Sequence, residues 1–86
     1  MNIKKNPEII SAVLDEDYCL FIPSTANYLN LNRTGSFLWE LLEETDDFNT
    51  IVDRVIETYN ISSEDCREKL KKFFKYAETK KLVNIK

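Results

Sequence analysis

The groups with the most chemical capacity in this chain are two thiols, a few adjacent carboxylates and a run of lysines interleaved with aromatic rings. Cys19 stands in the apolar stretch Tyr18-Cys19-Leu20-Phe21-Ile22. Cys66 opens a helical stripe that continues through Leu70, Phe73, Phe74 and Ala77. A reactive thiolate needs nearby positive charge and access to solvent. Lys69 lies one helical turn from Cys66, but a free cysteine on an apolar stripe is ordinarily a packing group, so both thiols read as core. Glu43-Glu44 and Asp46-Asp47 could do acid–base work if an apolar pocket tuned them. They stand at a helix end among polar neighbours, where solvation is the simpler role.

The absences narrow the classes further. The chain has no His, which removes the commonest general base, the commonest zinc ligand and any Ser-His or Cys-His pair. Two distant cysteines cannot supply a four-thiolate metal site. Gly35 is the only glycine, which excludes a glycine-rich phosphate loop and a dinucleotide fingerprint. The expectation is a binding module, not an enzyme, with no metal and no cofactor.

The lysine–aromatic run fits binding. Lys69, Lys72, Phe73, Tyr76 and Lys80 follow i, i+3, i+4, i+7, i+11 and fall along one side of a helix. Ammonium groups beside rings suit a peptide that carries both carboxylates and apolar anchors. Equally, Phe73 can be core and the lysines merely solvated; spacing alone leaves both open. The charge distribution adds to the first. Residues 67–86 hold eight cations against two acids, a net of +6, whereas residues 1–66 hold four cations against thirteen acids, a net of −9. Only the overall −3 appears in the composition.

The positioning elements are legible from periodicity. Ile9 to Leu14 is a strand rich in branched residues, and Asp15-Glu16-Asp17 reads as a hairpin connection. Tyr18 to Ile22 is a second strand, stopped by Pro23-Ser24-Thr25. Ala26, Asn27, Tyr28, Leu29, Asn30 and Leu31 form a third, with Asn27, Leu29 and Leu31 on one face. A first helix follows a cap at Asn32 or Thr34, with a stripe of Phe37, Leu38, Leu41 and Leu42 and with Trp39 off it; Trp39 and Phe37 are both expected in the core around this helix. A second begins after Asn49 or Thr50 and stops at Asn60, and a third is capped by Ser62 or Ser63. Leu82 to Ile85 is a short strand or an extended tail. The fold class is α+β: a three-stranded antiparallel sheet followed by three helices, β-β-β-α-α-α, the layout of a winged helix-turn-helix. The third strand can be an edge, whose unpaired backbone groups an extended peptide satisfies by strand addition. A neighbouring strand or a second copy of the chain could equally cover it.

With 86 residues the chain reads as one domain, 1–86. No apolar run approaches the length that spans a membrane, and no basic start precedes an apolar signal region. The expected location is cytoplasmic, with free thiols. A DNA-binding winged helix is the alternative. The lysine-rich third helix favours it, while the acidic balance opposes it.

The stretch Tyr28-Leu29-Asn30-Leu31-Asn32-Arg33-Thr34-Gly35, continued by Ser36-Phe37-Leu38-Trp39-Glu40-Leu41-Leu42, resembles the signature of the coenzyme PQQ synthesis protein D (PqqD) family. The shared pattern is an aromatic-containing extended segment, then Leu-Asn-x-Thr-Gly, then aliphatic-Trp-x-Leu-Leu. Thr50-Ile51-Val52, Tyr59-Asn60 and Leu82-Val83 fit its downstream part, so the resemblance covers about residues 9–85. It implies a small winged-helix domain that recognises the leader segment of a ribosomally made precursor peptide; the expected state is a monomer or a homodimer. It implies delivery of that peptide to a modifying enzyme, a radical SAM protein or a leader peptidase and cyclase of a lasso-peptide pathway. It implies a leader added as a strand to Ala26–Leu31, against Lys69, Lys72, Phe73, Tyr76 and Lys80. No membrane partner and no nucleic-acid partner are expected, from the short apolar runs and the acidic balance.

Overall fold

The alternating segments between Ile10 and Asn30 close into one sheet because short connections force consecutive strands to pair. A computed structural model describes all 86 residues. The order is β1 (Ile3–Lys5), β2 (Ile10–Leu14), β3 (Asp17–Ile22), β4 (Asn27–Asn30), α1 (Arg33–Glu44), α2 (Phe48–Tyr59), α3 (Ser63–Thr79) and β5 (Val83–Ile85). Strands β2-β3-β4 form an antiparallel sheet in that order, with Phe21 opposite both Ile10 and Tyr28. The β2–β3 connection is two residues long, and Asp15 and Glu16 both adopt left-handed backbone (φ 52° and 75°). A two-residue hairpin needs that twist, although Asn-Gly would adopt it more readily.

The architecture is α+β with three helices, but the strands divide into two sheets instead of the single one expected. The second sheet pairs β1 with β5, Ile3 opposite Ile85, and so joins the two ends of the chain. The N–H of Asn2 donates to the Lys86 carbonyl at 2.8 Å and that of Ile3 to the Asp46 carbonyl at 2.8 Å. Leu82–Ile85 is thus a strand from Val83, and its partner is the N-terminal segment, whose three-residue strand is too short to carry a periodicity of its own.

Side-chain caps fix the helix starts. Asn32 Oδ1 accepts from the Gly35 N–H at 2.8 Å, and Ser62 Oγ accepts from the Asp65 N–H at 3.2 Å. Asp47 accepts from the Thr50 N–H and hydroxyl at 3.0 and 2.8 Å, so α2 starts at Phe48, slightly earlier than expected. A Cβ on Gly35 would stand 3.3 Å from the capping oxygen of Asn32, a close approach that favours glycine there. Buried Ser36 accepts from the Tyr18 N–H at 2.9 Å and locks α1 to β3. Sixteen apolar residues from both sheets and all three helices form one core.

Trp39 is in the core, as expected, on the buried face of α1 with Leu38 and Leu41. Two expectations are corrected here. Phe37 is only half-buried, packed against the core, and meets the Tyr59 ring edge-on at 5.7 Å. Cys19 is half-buried on the sheet face away from Leu20 and Ile22, so it is not core. Cys66 is fully buried, its Sγ lies 3.9 Å from the Val52 carbonyl, and burial pushes its thiol pKa up, away from the reactive thiolate. No helix is long and apolar enough to cross a membrane.

Candidate functional site

Strand β4 is an edge of its sheet, and its backbone polarity follows from one bond. The Leu31 N–H donates to the Tyr18 carbonyl at 2.9 Å. Antiparallel alternation then turns Leu31, Leu29 and Asn27 toward β3 and leaves the N–H and C=O of Tyr28 and Asn30 pointing away from the sheet. The strand proper is Asn27–Asn30, shorter than the expected 26–31. Ala26 sits at φ 55° in the preceding turn, where its N–H donates to Pro23. Leu31 lies past the strand but keeps its bond to β3 and packs half-buried against the core beside Leu29.

Between β4 and the C-terminal end of α3 lies a cleft of about 400 Å³. Asn27, Tyr28 and Leu29 line its strand side, and Tyr76, Thr79, Lys80 and Lys81 line its helix side. Tyr76 is half exposed, and Lys80 Nζ stands 5.7 Å from the centre of its ring. The helix is stopped by Lys81 in left-handed backbone (φ 63°), where the Leu82 N–H reaches back to the Ala77 carbonyl at 2.9 Å. A glycine is usual at such a position; here it places two lysines at the mouth of the cleft instead. Neither lysine has a carboxylate in ion-pair range, and no acid lines the cleft. The chemistry on offer is therefore open backbone hydrogen bonding, an aromatic floor and uncompensated positive charge.

The sequence-predicted residues divide. Asn27, Tyr28, Leu29, Tyr76 and Lys80 meet in the cleft. Lys69, Lys72 and Phe73 lie nearer the middle of α3, before the cleft, and do not line it. Lys72 pairs with Glu68 at 3.6 Å, and Phe73 is half-buried, edge-on to Phe74 at 5.3 Å between centroids. Thr25, Thr79 and Lys81 line the cleft without having been singled out. Helical spacing could have flagged Thr79, one turn from Tyr76; Lys81 follows the helix and is placed by its turn. No group of three or more His, Cys, Asp or Glu side chains is gathered as a metal site would need.

A family model described as coenzyme PQQ synthesis protein D (PqqD) matches residues 17–83. No curated protein sequence matches the chain. A solved structure of TbiB1 in complex with the TbiA(beta) leader peptide superposes with a TM-score of 0.88 at 28% identity, over 94% of each chain. A lasso peptide synthetase B1 complexed with the leader peptide superposes with a TM-score of 0.86, over 99% of this chain and 100% of that one. At 15% identity the second likeness is one of fold.

Proposed function

The chain belongs to the PqqD family, and from that premise we propose that it binds the leader segment of a ribosomally made precursor peptide. The leader joins β4 as an added strand and is handed to a separate modifying enzyme, with no chemistry done by this domain. The observation that carries this is the open edge at Tyr28 and Asn30 beside a basic, aromatic cleft. The likeness to TbiB1, 28% identical and solved with a leader peptide, supports it.

Backbone bonds orient the peptide, because strand addition satisfies amides without reading side chains. Side chains choose the partner: Tyr76 in the cleft, and Phe73 one turn farther along α3 outside it, meet apolar residues, and Lys80, with Lys69 and Lys72 farther along α3, meets carboxylates. The pairing surface runs from Ala26 through Leu31. The helices following β2-β3-β4 take the winged-helix role, as a scaffold for this cleft. The enzyme partner is a radical SAM protein or a leader peptidase, the protein acts in the cytoplasm, and one copy suffices for the cleft.

Amide chemical-shift mapping with the cognate leader tests this. Shifts should concentrate in residues 26–31 and in the second half of α3. Perturbations limited to α2 and the β2–β3 turn would rule the mode out.

A further inference from the structure

The sheet has a second face, and its surface is apolar. Leu20 and Ile22 point into the core, so their neighbours on β3, Cys19 and Phe21, point outward. Register aligns Ile10, Phe21 and Tyr28 directly opposite one another across three strands. The Phe21 and Tyr28 rings lie 4.9 Å apart, and Ile10 and Tyr28 are 60% and 73% exposed. These three, with Ala12 and Cys19, surround a depression of about 290 Å³ lined only by apolar side chains. Tyr28 borders both this depression and the cleft beside α3.

An added strand cannot use one face alone. Its side chains alternate between the two sides of the sheet. A residue opposite Tyr28 lies on the outer face, in line with Ile10, Phe21 and Tyr28. Its two neighbours, opposite Asn27 and Leu29, enter the cleft. From this geometry, and resting on the leader-binding role proposed above, we infer that the bound peptide is read on both faces. The residue opposite Tyr28 is aromatic or a large aliphatic and completes a four-strand apolar row. One flanking residue packs toward Leu29 and Tyr76, and the other carries a carboxylate to Lys80. The peptide class is therefore a strand with a large apolar residue between two cleft-facing ones, not a strand with a single anchored face. The outer row suits this occupant because it is continuous with the only edge that also borders the basic cleft, and because cross-strand aromatic and branched pairs stabilise a shared face.

The test uses a display library of random twelve-residue peptides selected on the full chain. Peptides from the wild-type protein should carry a large apolar residue with cleft-type residues on both sides. Tyr28→Thr keeps the strand backbone and should weaken those peptides about fivefold, with loss of the central apolar preference. Tyr76→Ala should erase the apolar flanking preference and leave the central one and the carboxylate. Leu14→Thr, as exposed as Ile10 but beyond the row, should change neither. Failure of the wild-type chain to enrich any extended peptide overturns the leader-binding role itself. Enriched peptides indifferent to Tyr28→Thr, or equally weakened by Leu14→Thr, overturn the two-faced recognition alone. A wild-type dimer in sedimentation that Tyr28→Thr converts to monomer assigns the outer face to a second copy and overturns it as well.

Discussion

The three-stranded sheet ends in two edges with the same backbone chemistry and different walls. On β4, Tyr28 and Asn30 turn their N–H and C=O outward; on β2, by the same alternation, Ser11 and Val13 do. Beside β4 stand Tyr76, Lys80 and Lys81, with no acid among the cleft residues. Beside β2, Ser11 borders a groove of about 350 Å³ in which Lys5 is already paired with Glu43 and lies 4.4 Å from the Trp39 ring centre. An open edge accepts any strand. The neighbouring wall decides which one, and only the β4 wall has charge and ring surface left unspent.

The largest effect expected falls on the β2 side and concerns stability. Trp39 is 5% exposed beneath that groove, and Trp39→Ala should cost about 3–5 kcal/mol in denaturant unfolding. Its Nε1–H is buried without a partner, so Trp39→Phe should cost much less by removing an unsatisfied donor. Leader affinity of the folded fraction should be unchanged in both. If Trp39→Phe unfolds normally but loses the peptide, the β2 groove is a binding wall and the contrast collapses.

On the β4 side, Tyr76→Ala should cost about 2 kcal/mol of leader affinity by calorimetry, as expected of an aromatic anchor at an interface. The paired proline substitutions probe the edges themselves. Asn30→Pro removes an outward N–H and should weaken binding by about 1 kcal/mol or more. Val13→Pro removes the equivalent group on β2 and should leave affinity untouched. Equal losses at both edges would mean that the wall does not choose the strand.

The contrast between edges explains what could be read from the sequence. Strands β2 to β4 and the three helices were legible because each carries its own periodicity or cap: Asn32, Asn60 and Ser62 sit where the helices begin or end. Strand β1 was not. Ile3 is its one fully buried residue, and its partner Ile85 is at the other end of the chain. Half of the cleft was legible, since Tyr76 and Lys80 share a helix face and Asn27 to Leu29 share a strand. Helical spacing also joined Lys69 and Lys72 to that face, but the cleft occupies only the end of α3, and spacing carries no information on where along a helix a strand crosses. Trp39, expected in the core although off the stripe, is buried there because α1 buries Leu38 and Trp39 side by side, a wider face than the stripe describes, whereas Phe37 on the stripe is only half-buried.

The smallest effects separate spent charge from unspent charge. Lys80→Ala should lower leader affinity by about 0–1 kcal/mol, as exposed pairs do, with the deficit shrinking at high salt. Glu43 behaves oppositely. Its hydrogen bond from Lys5, reinforced by that lysine's charge, holds its carboxyl below the usual carboxylate range. A carboxyl whose folded pKa is lowered contributes stability above its unfolded pKa and loses it as pH falls through the folded value. Glu43→Gln should therefore melt below the wild type at neutral pH, and the two melting curves should converge as the pH drops below the ordinary carboxylate range. Leader affinity measured at neutral pH should be the same for both, because Lys5 and Glu43 satisfy each other on the β2 side. A gap in melting temperature that stays constant through the acid range would show that the pair does not stabilise that wall, and a loss of affinity would show that the two edges are coupled.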